Sequence, residues 1–492
     1  MRTDAEHVLV IDAGTTSTRA MVFTLEGGLA ALAQRPLTQH YPAHGLVEHD
    51  AGEIWHAALA CARQAVAQAG GIDRIAAVGL TNQRETVIAW DRNTGQPLAR
   101  AIVWQDRRTA PACEALREAG HEDSVRTRTG LLLDPYFSAT KMGWMMRNEP
   151  AVQAAHEGGR LALGTVESWL AFKLTGGAFL SDASNASRTN LLPLAGASWD
   201  EGLCDLFGVP RSALPDVCDS AGPIASVAAD WLGASVPLTG LAGDQQAATI
   251  GQGCLAPGET KATYGTGAFV LANMGDAVPT SRHRLLSTVL WQLGGIRAYA
   301  LEGSVFVAGS LIQWLRDSLG LIDAAVETEV LARSVPDSGG VVIVPALSGL
   351  GAPHWRPEAR GSITGLSFAS TRAHIARAAL EAMAMQTRDL ANAFAADGAR
   401  WTRLRIDGGM AANNWMAQDL ADVLDLPVER PAMVETTALG AGMLAAYGAG
   451  LFPSLEAAAR AMAGRREHFA PTMAQAEREG RATAWHEALG RV

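Results

Sequence analysis

A glycine-bearing turn rich in hydroxyls occurs once in each half of this 492-residue chain, each time beside apolar runs short enough to be strands. The first is Asp12-Ala13-Gly14-Thr15-Thr16-Ser17-Thr18-Arg19, set between Val8-Leu9-Val10-Ile11 and Ala20-Met21-Val22-Phe23. The second is Thr263-Tyr264-Gly265-Thr266-Gly267, followed by Ala268-Phe269-Val270-Leu271. Short apolar runs joined by a tight turn read as hairpins. Gly14 suits a turn that needs positive φ or lets backbone approach a ligand. Thr15, Thr16 and Ser17 put hydroxyls and amide N–H groups on one arc, a concavity suited to phosphate oxygens. Asp12, at the end of the first run, can face a metal ion or its waters. Taken singly, either turn is equally an ordinary polar hairpin. Two copies predict two similar lobes facing one phosphate chain.

The length fits two sizeable domains better than one core. Hydrophobic residues make up 48% of the chain and charged residues 18%, enough apolar surface for a large buried core. No apolar run approaches bilayer length and the start lacks a signal-peptide stretch, so the reading is cytoplasmic without integral membrane association. Five scattered cysteines, none in a Cys-x-x-Cys pair, argue against a disulfide framework or a zinc site. A net charge of −10 argues against a nucleic-acid partner. Only three lysines occur and none follows a glycine, which excludes the Gly-x-x-x-x-Gly-Lys-Ser/Thr phosphate loop. Gly440-Ala441-Gly442-Met443-Leu444-Ala445 matches Gly-x-Gly-x-x-Ala, but inside an alanine-rich helical stretch. It reads as close helix packing rather than dinucleotide binding.

Along the chain, a helix is expected over 51–69, with Asp50 and Glu53 as a capping box. A buried strand over 72–80 runs into Thr81-Asn82-Gln83-Arg84-Glu85, and ligands collect beyond the carboxyl ends of such strands. Arg84 and Glu85 are either a donor and acceptor for vicinal hydroxyls or a solvated ion pair. Trp104 is a core residue or an apolar wall for a small ligand's carbons, and 105–109 opens a helix. Tyr136, in Asp134-Pro135-Tyr136-Phe137-Ser138, presents a phenol that bonds a substrate oxygen or simply packs. The polar run Asn185-Ala186-Ser187-Arg188-Thr189 suggests a loop near the cleft with no assigned duty, and 203–238 reads as irregular connection. Asp244 and Gln245 come at the head of a helix, where Asp244 is an N-cap or a general base. Later, Gly309 and Gln313 share one face of a helix beginning near Ser304. A glycine inside a helix costs about 1 kcal/mol relative to alanine, which suggests close approach by a ligand or another backbone. Asp407-Gly408-Gly409 ends a strand, and Asn413 either bonds a base edge or caps the next helix.

These motifs, in this order, resemble the FGGY carbohydrate kinase family over essentially the whole chain, and within it the members that act on glycerol. The strongest matches are Asn82-Gln83-Arg84-Glu85-Thr86, Asp134 to Ser138, Gly243-Asp244-Gln245-Gln246-Ala247, Thr263 to Gly267 and Asp407-Gly408-Gly409. The resemblance implies an α/β fold of two actin-like (ribonuclease H-like) ATPase lobes with a nucleotide cleft between them. It places an N-terminal lobe over 1–251 and a C-terminal lobe over 252–492, and implies phosphorylation of glycerol to sn-glycerol 3-phosphate by ATP with Mg²⁺. It also implies that Arg84, Glu85, Tyr136, Asp244 and Gln245 bind the polyol, with Trp104 and Phe269 walling its carbons and Asp244 acting as base. Thr15, Thr16, Ser17, Arg19, Thr266, Gly309, Gln313, Gly409 and Asn413 are then expected to contact ATP or ADP, and Asp12 to serve the metal. A homo-oligomer is left open.

The chain departs from the family pattern at Ala13, where a Gln is usual, which removes an amide expected near the phosphates. The stretch 231–237 contains no Arg, so the family's fructose bisphosphate control is expected to be absent.

Overall fold

The computed structural model of the chain describes residues 6–356 and 358–492. The opening apolar run forms β1 (His7–Ala13), which continues through the first Gly-Thr turn into β2 (Ser17–Thr24) and then β3 (Leu29–Pro36). Neighbours in this meander are antiparallel, with Asp12 opposite Arg19 and Ala13 opposite Thr18. Helix α1 (Ala51–Gln68) follows, and β4 (Ile75–Asn82) returns parallel to β1. Beyond α2 (Val166–Thr175), β5 (Ala221–Val227) and β6 (Val236–Gly243) complete a sheet of order β5-β6-β4-β1-β2-β3. Helix α3 (Asp244–Gly251) starts where β6 ends.

The second half repeats this plan. Strands β7 (Glu259–Tyr264) and β8 (Ala268–Gly275) flank the second Gly-Thr turn, and β9 (Leu286–Leu293) and β10 (Ile296–Val305) follow. After α4 (Gly309–Asp317) and the long α5 (Arg372–Ala396), β11 (Arg403–Asp407) runs parallel to β7. Helix α6 (Asn414–Leu424), β12 (Val428–Pro431), α7 (Thr436–Gly448) and β13 (Arg466–Phe469) close the sheet in the order β9-β10-β8-β7-β11-β12-β13. In each sheet, the strand before the turn pairs antiparallel with the strand after it and parallel with a later one. The two Gly-Thr turns therefore hold equivalent places in a duplicated architecture.

Strand β1 is buried along its whole length because helices cover both faces of its sheet. Leu9, Ile11 and Val22 pack toward Ile54 and Trp55 of α1, whereas Val8, Val10 and Phe23 pack toward Leu439, Met443 and Leu444 of α7. Helix α7 comes from the second half of the chain, so the first sheet is finished by a distant segment. A larger core joins the second sheet to α5 and α6 through Ile406, Phe394 and Leu420.

Several local expectations are corrected. Asp50 caps α1 by accepting from Gly52 N and Glu53 N, but Glu53 turns to Thr38, accepting from its N and Oγ1 at 3.0 Å, so the capping box is half formed. The helix expected from 105 begins at Ala110, and the one expected near Ser304 begins at Gly309, because β10 runs on to Val305. The stretch 203–238 holds β5 and the start of β6. Pro223 sits in β5 at the sheet edge, where a missing N–H is tolerated, which is why its Pro and Gly residues suggested a loop. Among the described residues no helix is long and apolar enough to cross a membrane.

Candidate functional site

Strand β4 delivers Asn82, and the chain then turns sharply through Gln83, Arg84 and Glu85. Glu85 is a non-glycine residue at φ 62°, a conformation that persists only where surroundings enforce it. Ser138 Oγ donates to Glu85 O at 3.0 Å and Thr86 N to Arg84 O at 2.7 Å, and these contacts hold the bend. Arg84 is 3% exposed. Its Nη1 donates to Glu302 Oε2 at 2.7 Å and its Nη2 reaches Tyr136 Oη at 3.4 Å, while its Nε lies 3.0 Å from Asp244 Oδ1.

Asp244 is the first residue of α3, and its Oδ1 accepts from Gln245 N at 2.7 Å. Its side chain keeps 33% exposure and is the open member of this group. Burial raises its pKa above the ordinary aspartate value, with Arg84 the chief opposing influence. Gln245 Oε1 accepts from Lys261 Nζ of β7 at 2.5 Å, and that ammonium also donates to Thr263 Oγ1 at 3.0 Å. With its carbonyl oxygen occupied, Gln245 presents its NH₂ as the remaining donor. Trp104 stands edge-on to Tyr136 with centroids 5.6 Å apart, and its Nε1 donates to Thr15 Oγ1 at 3.0 Å. Arg84, Glu85, Trp104, Tyr136, Asp244 and Gln245 are thus one contiguous group joined to the first Gly-Thr turn. Phe269 is half-buried in β8, opposite Thr263 and Ser304.

In the first turn, Gly14 N donates to Ser17 O at 3.0 Å, while Thr16 is exposed. Gln83 braces the turn, donating N to Ala13 O at 2.8 Å and Nε2 to Gly14 O at 3.2 Å. Ala13 is fully buried within the apolar cluster on α1. Arg19 bridges two carboxylates, with Nη2 donating to Asp12 Oδ2 and Nη1 to Glu435 Oε2, both at 2.6 Å. Glu435 lies just before α7, so Arg19 ties the first hairpin to the second half of the chain.

The second turn is assembled with α4 and with the bend after β11. Gly309 N donates to Gly265 O at 2.9 Å, and Ala308 N to Thr266 O at 2.9 Å. A Cβ on Gly309 would stand 2.5 Å from Gly265 O, so the close neighbour foreseen for this glycine is backbone. Gly408, at φ 88°, would similarly place a Cβ 2.5 Å from Tyr264 O. Gly409 has open space where a side chain would be, and Gln313 is exposed one turn along α4. Asn413 caps α6 by accepting from Met416 N at 3.0 Å, and donates Nδ2 to Thr328 Oγ1 at 3.2 Å.

Among the described residues no group of three or more His, Cys, Asp or Glu side chains converges to hold a metal ion. Mg²⁺ is commonly held by one or two carboxylates, with phosphates and water supplying the rest. Asp12 fits that mode: burial raises its carboxyl pKa against the pull of Arg19, so an arriving cation would relieve the cost of its charge.

Three charged residues at this site carried no assignment in the sequence. Arg188 was visible only as part of a polar run. Glu302 was visible as an acid directly after the Ala298 to Leu301 stretch. Lys261 was one of three lysines, two residues before Thr263 of the second turn.

Residues 7–251 match the N-terminal domain, and residues 260–449 the C-terminal domain, of the FGGY family of carbohydrate kinases. The glycerol kinase of Alcanivorax borkumensis is 54% identical over 489 residues, covering 99% of this chain and 98% of its own length. That of Rhodospirillum rubrum is 52% identical over 488 residues, covering 99% and 98%. Among solved structures, Plasmodium falciparum glycerol kinase with ADP superposes with a TM-score of 0.94 at 34% identity, covering 99% of this chain and 98% of that one. A xylulose kinase from Rhodospirillum rubrum gives 0.88 at 27% identity, covering 99% and 98%.

Proposed function

The chain belongs to the FGGY family of carbohydrate kinases, and from that premise we propose that it transfers the γ-phosphoryl group of ATP to glycerol, forming ADP and sn-glycerol 3-phosphate. The observation that carries this reading is identity above half, over essentially the full length of both chains, with relatives named glycerol kinase. The fold is the two-lobe actin-like ATPase fold of its structural neighbours. We take the lobes as 1–251 and 252–492.

Phosphoryl transfer passes through a loose transition state, so the protein acts by alignment and charge compensation. Asp244, carboxylate-exposed beside Arg84, accepts the proton of the attacking hydroxyl. Arg84, Glu85, Tyr136 and the Gln245 amide pair with acceptor oxygens, against walls formed by Trp104 and Phe269. Such pairing rejects an analogue that lacks a hydroxyl, because a buried polar group is left without a partner. The turns at Thr15 to Ser17 and at Thr266 hold the phosphates, helped by Arg19, while Gly309, Gln313, Gly409 and Asn413 border the rest of the nucleotide. Mg²⁺, held by Asp12 and the phosphates, would neutralise charge on the phosphate oxygens. Trp104 links the two substrates physically, since its ring packs on Tyr136 while its N–H bonds Thr15. Five free cysteines fit a reducing compartment, and we place the reaction in the cytoplasm.

ADP release is the decisive assay, run with ATP and Mg²⁺ against glycerol, xylulose, gluconate and no acceptor. We expect the highest kcat/KM with glycerol and little hydrolysis without acceptor. Preference for a ketose would reassign the acceptor within the family, and rapid acceptor-free hydrolysis would remove the kinase reading.

A further inference from the structure

Two of the expected polyol residues, Arg84 and Glu85, belong to a buried ring of four charges that spans the two lobes. Glu302, on β10 of the second sheet, is 1% exposed and uses both oxygens on arginines of the first lobe. Its Oε2 accepts from Arg84 Nη1 at 2.7 Å and its Oε1 from Arg188 Nη2 at 3.1 Å. Arg188, fully buried, in turn donates Nε to Glu85 Oε1 at 2.6 Å. The ring contains two guanidiniums and two carboxylates, so it is neutral as a whole. Burial pushes the Glu302 carboxyl up, but Arg188 and Arg84 outweigh it and hold it down to about 2.

Among the described residues, two donors of the ring have no hydrogen-bond partner, Arg84 Nε and Arg188 Nη1. A buried N–H without an acceptor is costly, and such groups occur where a ligand completes the bonding. Arg84 is pinned on one edge by Glu302, while its Tyr136 contact is long and its Asp244 contact lacks hydrogen-bond alignment. Its bound edge belongs to the second lobe and its looser edges to the expected acceptor site. Arg188 fixes the Glu85 carboxylate in the same way, with its guanidinium over the Tyr136 and Phe137 rings at 5.7 and 5.3 Å.

We infer that Glu302 and Arg188 are positioning residues for the acceptor: the second lobe's carboxylate aims Arg84 directly and Glu85 through Arg188, so acceptor recognition depends on the register of the two lobes. The inference rests on the kinase reading above. Its rival is a purely structural ion cluster, which would affect folding without distinguishing one substrate from the other.

The test is steady-state kinetics with glycerol and ATP varied separately, on the native protein, on Glu302→Gln, and on the double variant Glu302→Gln/Arg188→Met. The double variant removes one charge of each sign and keeps the site neutral. We expect the glycerol KM to rise roughly 10- to 100-fold, as when outer-shell partners of a ligand group are removed. The ATP KM should stay within about twofold, the mark of lost acceptor binding alone. Preference for glycerol over propane-1,2-diol should shrink in parallel. An unchanged glycerol KM in folded variants, or an equal loss toward both substrates, overturns the inference and leaves the kinase reading standing. Absence of glycerol-dependent ADP release in the native protein overturns both. Should both variants fail to fold, Glu302→Asp decides by the same split in KM.

Discussion

Gly251 and Gly440 pass backbone against backbone where α3 crosses α7. A Cβ on Gly251 would stand 1.9 Å from Thr436 O and 2.9 Å from Gly440 N. One on Gly440 would stand 1.8 Å from Ala247 O. Helix α3 begins with Asp244, and α7 begins beside Glu435, which holds Arg19. The crossing therefore sets the distance between the expected base and the first Gly-Thr turn.

Gly440→Ala is expected to destabilise the fold by about 1–3 kcal/mol or more, the usual cost of overpacking, and to lower kcat by displacing Asp244. Gly442→Ala is the control, because its Cβ would meet only side chains, at 3.4 Å and beyond. Alanine's better helix propensity there is worth up to about 1 kcal/mol. Denaturant midpoints and kcat for the two variants should diverge, and matching behaviour would refute the packing account.

Asp244→Asn is expected to lower kcat by about 10²- to 10⁴-fold with substrate binding largely kept. In the native protein, burial raises the Asp244 pKa while Arg84 pulls it down. Activity should fall as pH drops through this pKa, since a protonated carboxyl accepts no proton. Arg84→Met removes the opposing charge, so the acid limb of kcat should move to higher pH. A limb that stays in place or moves lower would show that another group titrates.

Lys141 is fully buried, donating Nζ to Pro135 O at 3.0 Å and to Tyr136 O at 2.6 Å. Burial lowers its pKa from 10.5 to about 7. Between those values the unfolded chain binds a proton that the folded chain does not, so stability rises with pH across that window and its penalty is fully present below it. The slope is at most about 1.4 kcal/mol per pH unit. Lys141→Met should lack this component, which urea midpoints measured from pH 7 to 10 will reveal. Parallel profiles for the two proteins would mean that the buried amine stays charged.

Asp12→Asn should raise the Mg²⁺ concentration needed for half-maximal rate roughly tenfold, comparable to weakening a metal site's protein ligand. The glycerol KM should hardly change. Titrating Mg²⁺ at fixed ATP checks this, and an unaltered requirement would confine Asp12 to its ion pair with Arg19.

Much of this architecture was legible because its signals are local. The apolar runs beside the Gly-Thr turns, on both sides of the first and after the second, predicted strands, and the structure puts both turns at equivalent places in repeated sheets. The alanine-rich Gly440 to Ala445 segment read as close packing, and its Gly440 meets Ala247 and Gly251 of α3. Expectations failed where a local signal was ambiguous. Pro and Gly in β5 imitated a loop because an edge strand tolerates them. Glu53 matched a capping box, yet Thr38, brought close by the fold, took its carboxylate.

Chain order alone determined that strands would flank the first glycine-threonine turn and follow the second, that no lysine-bearing phosphate loop existed, and that Asp244 would head a helix. Turn chemistry and side-chain alternation act over a few residues, so neighbours in sequence suffice. Only the tertiary structure decided that Glu302 grips Arg84 and Arg188, that Lys261 orients Gln245, and that Gly251 meets Gly440. Those partners lie far apart along the chain. Whether two buried charges meet depends on strand register and lobe packing, which are set by the whole fold at once.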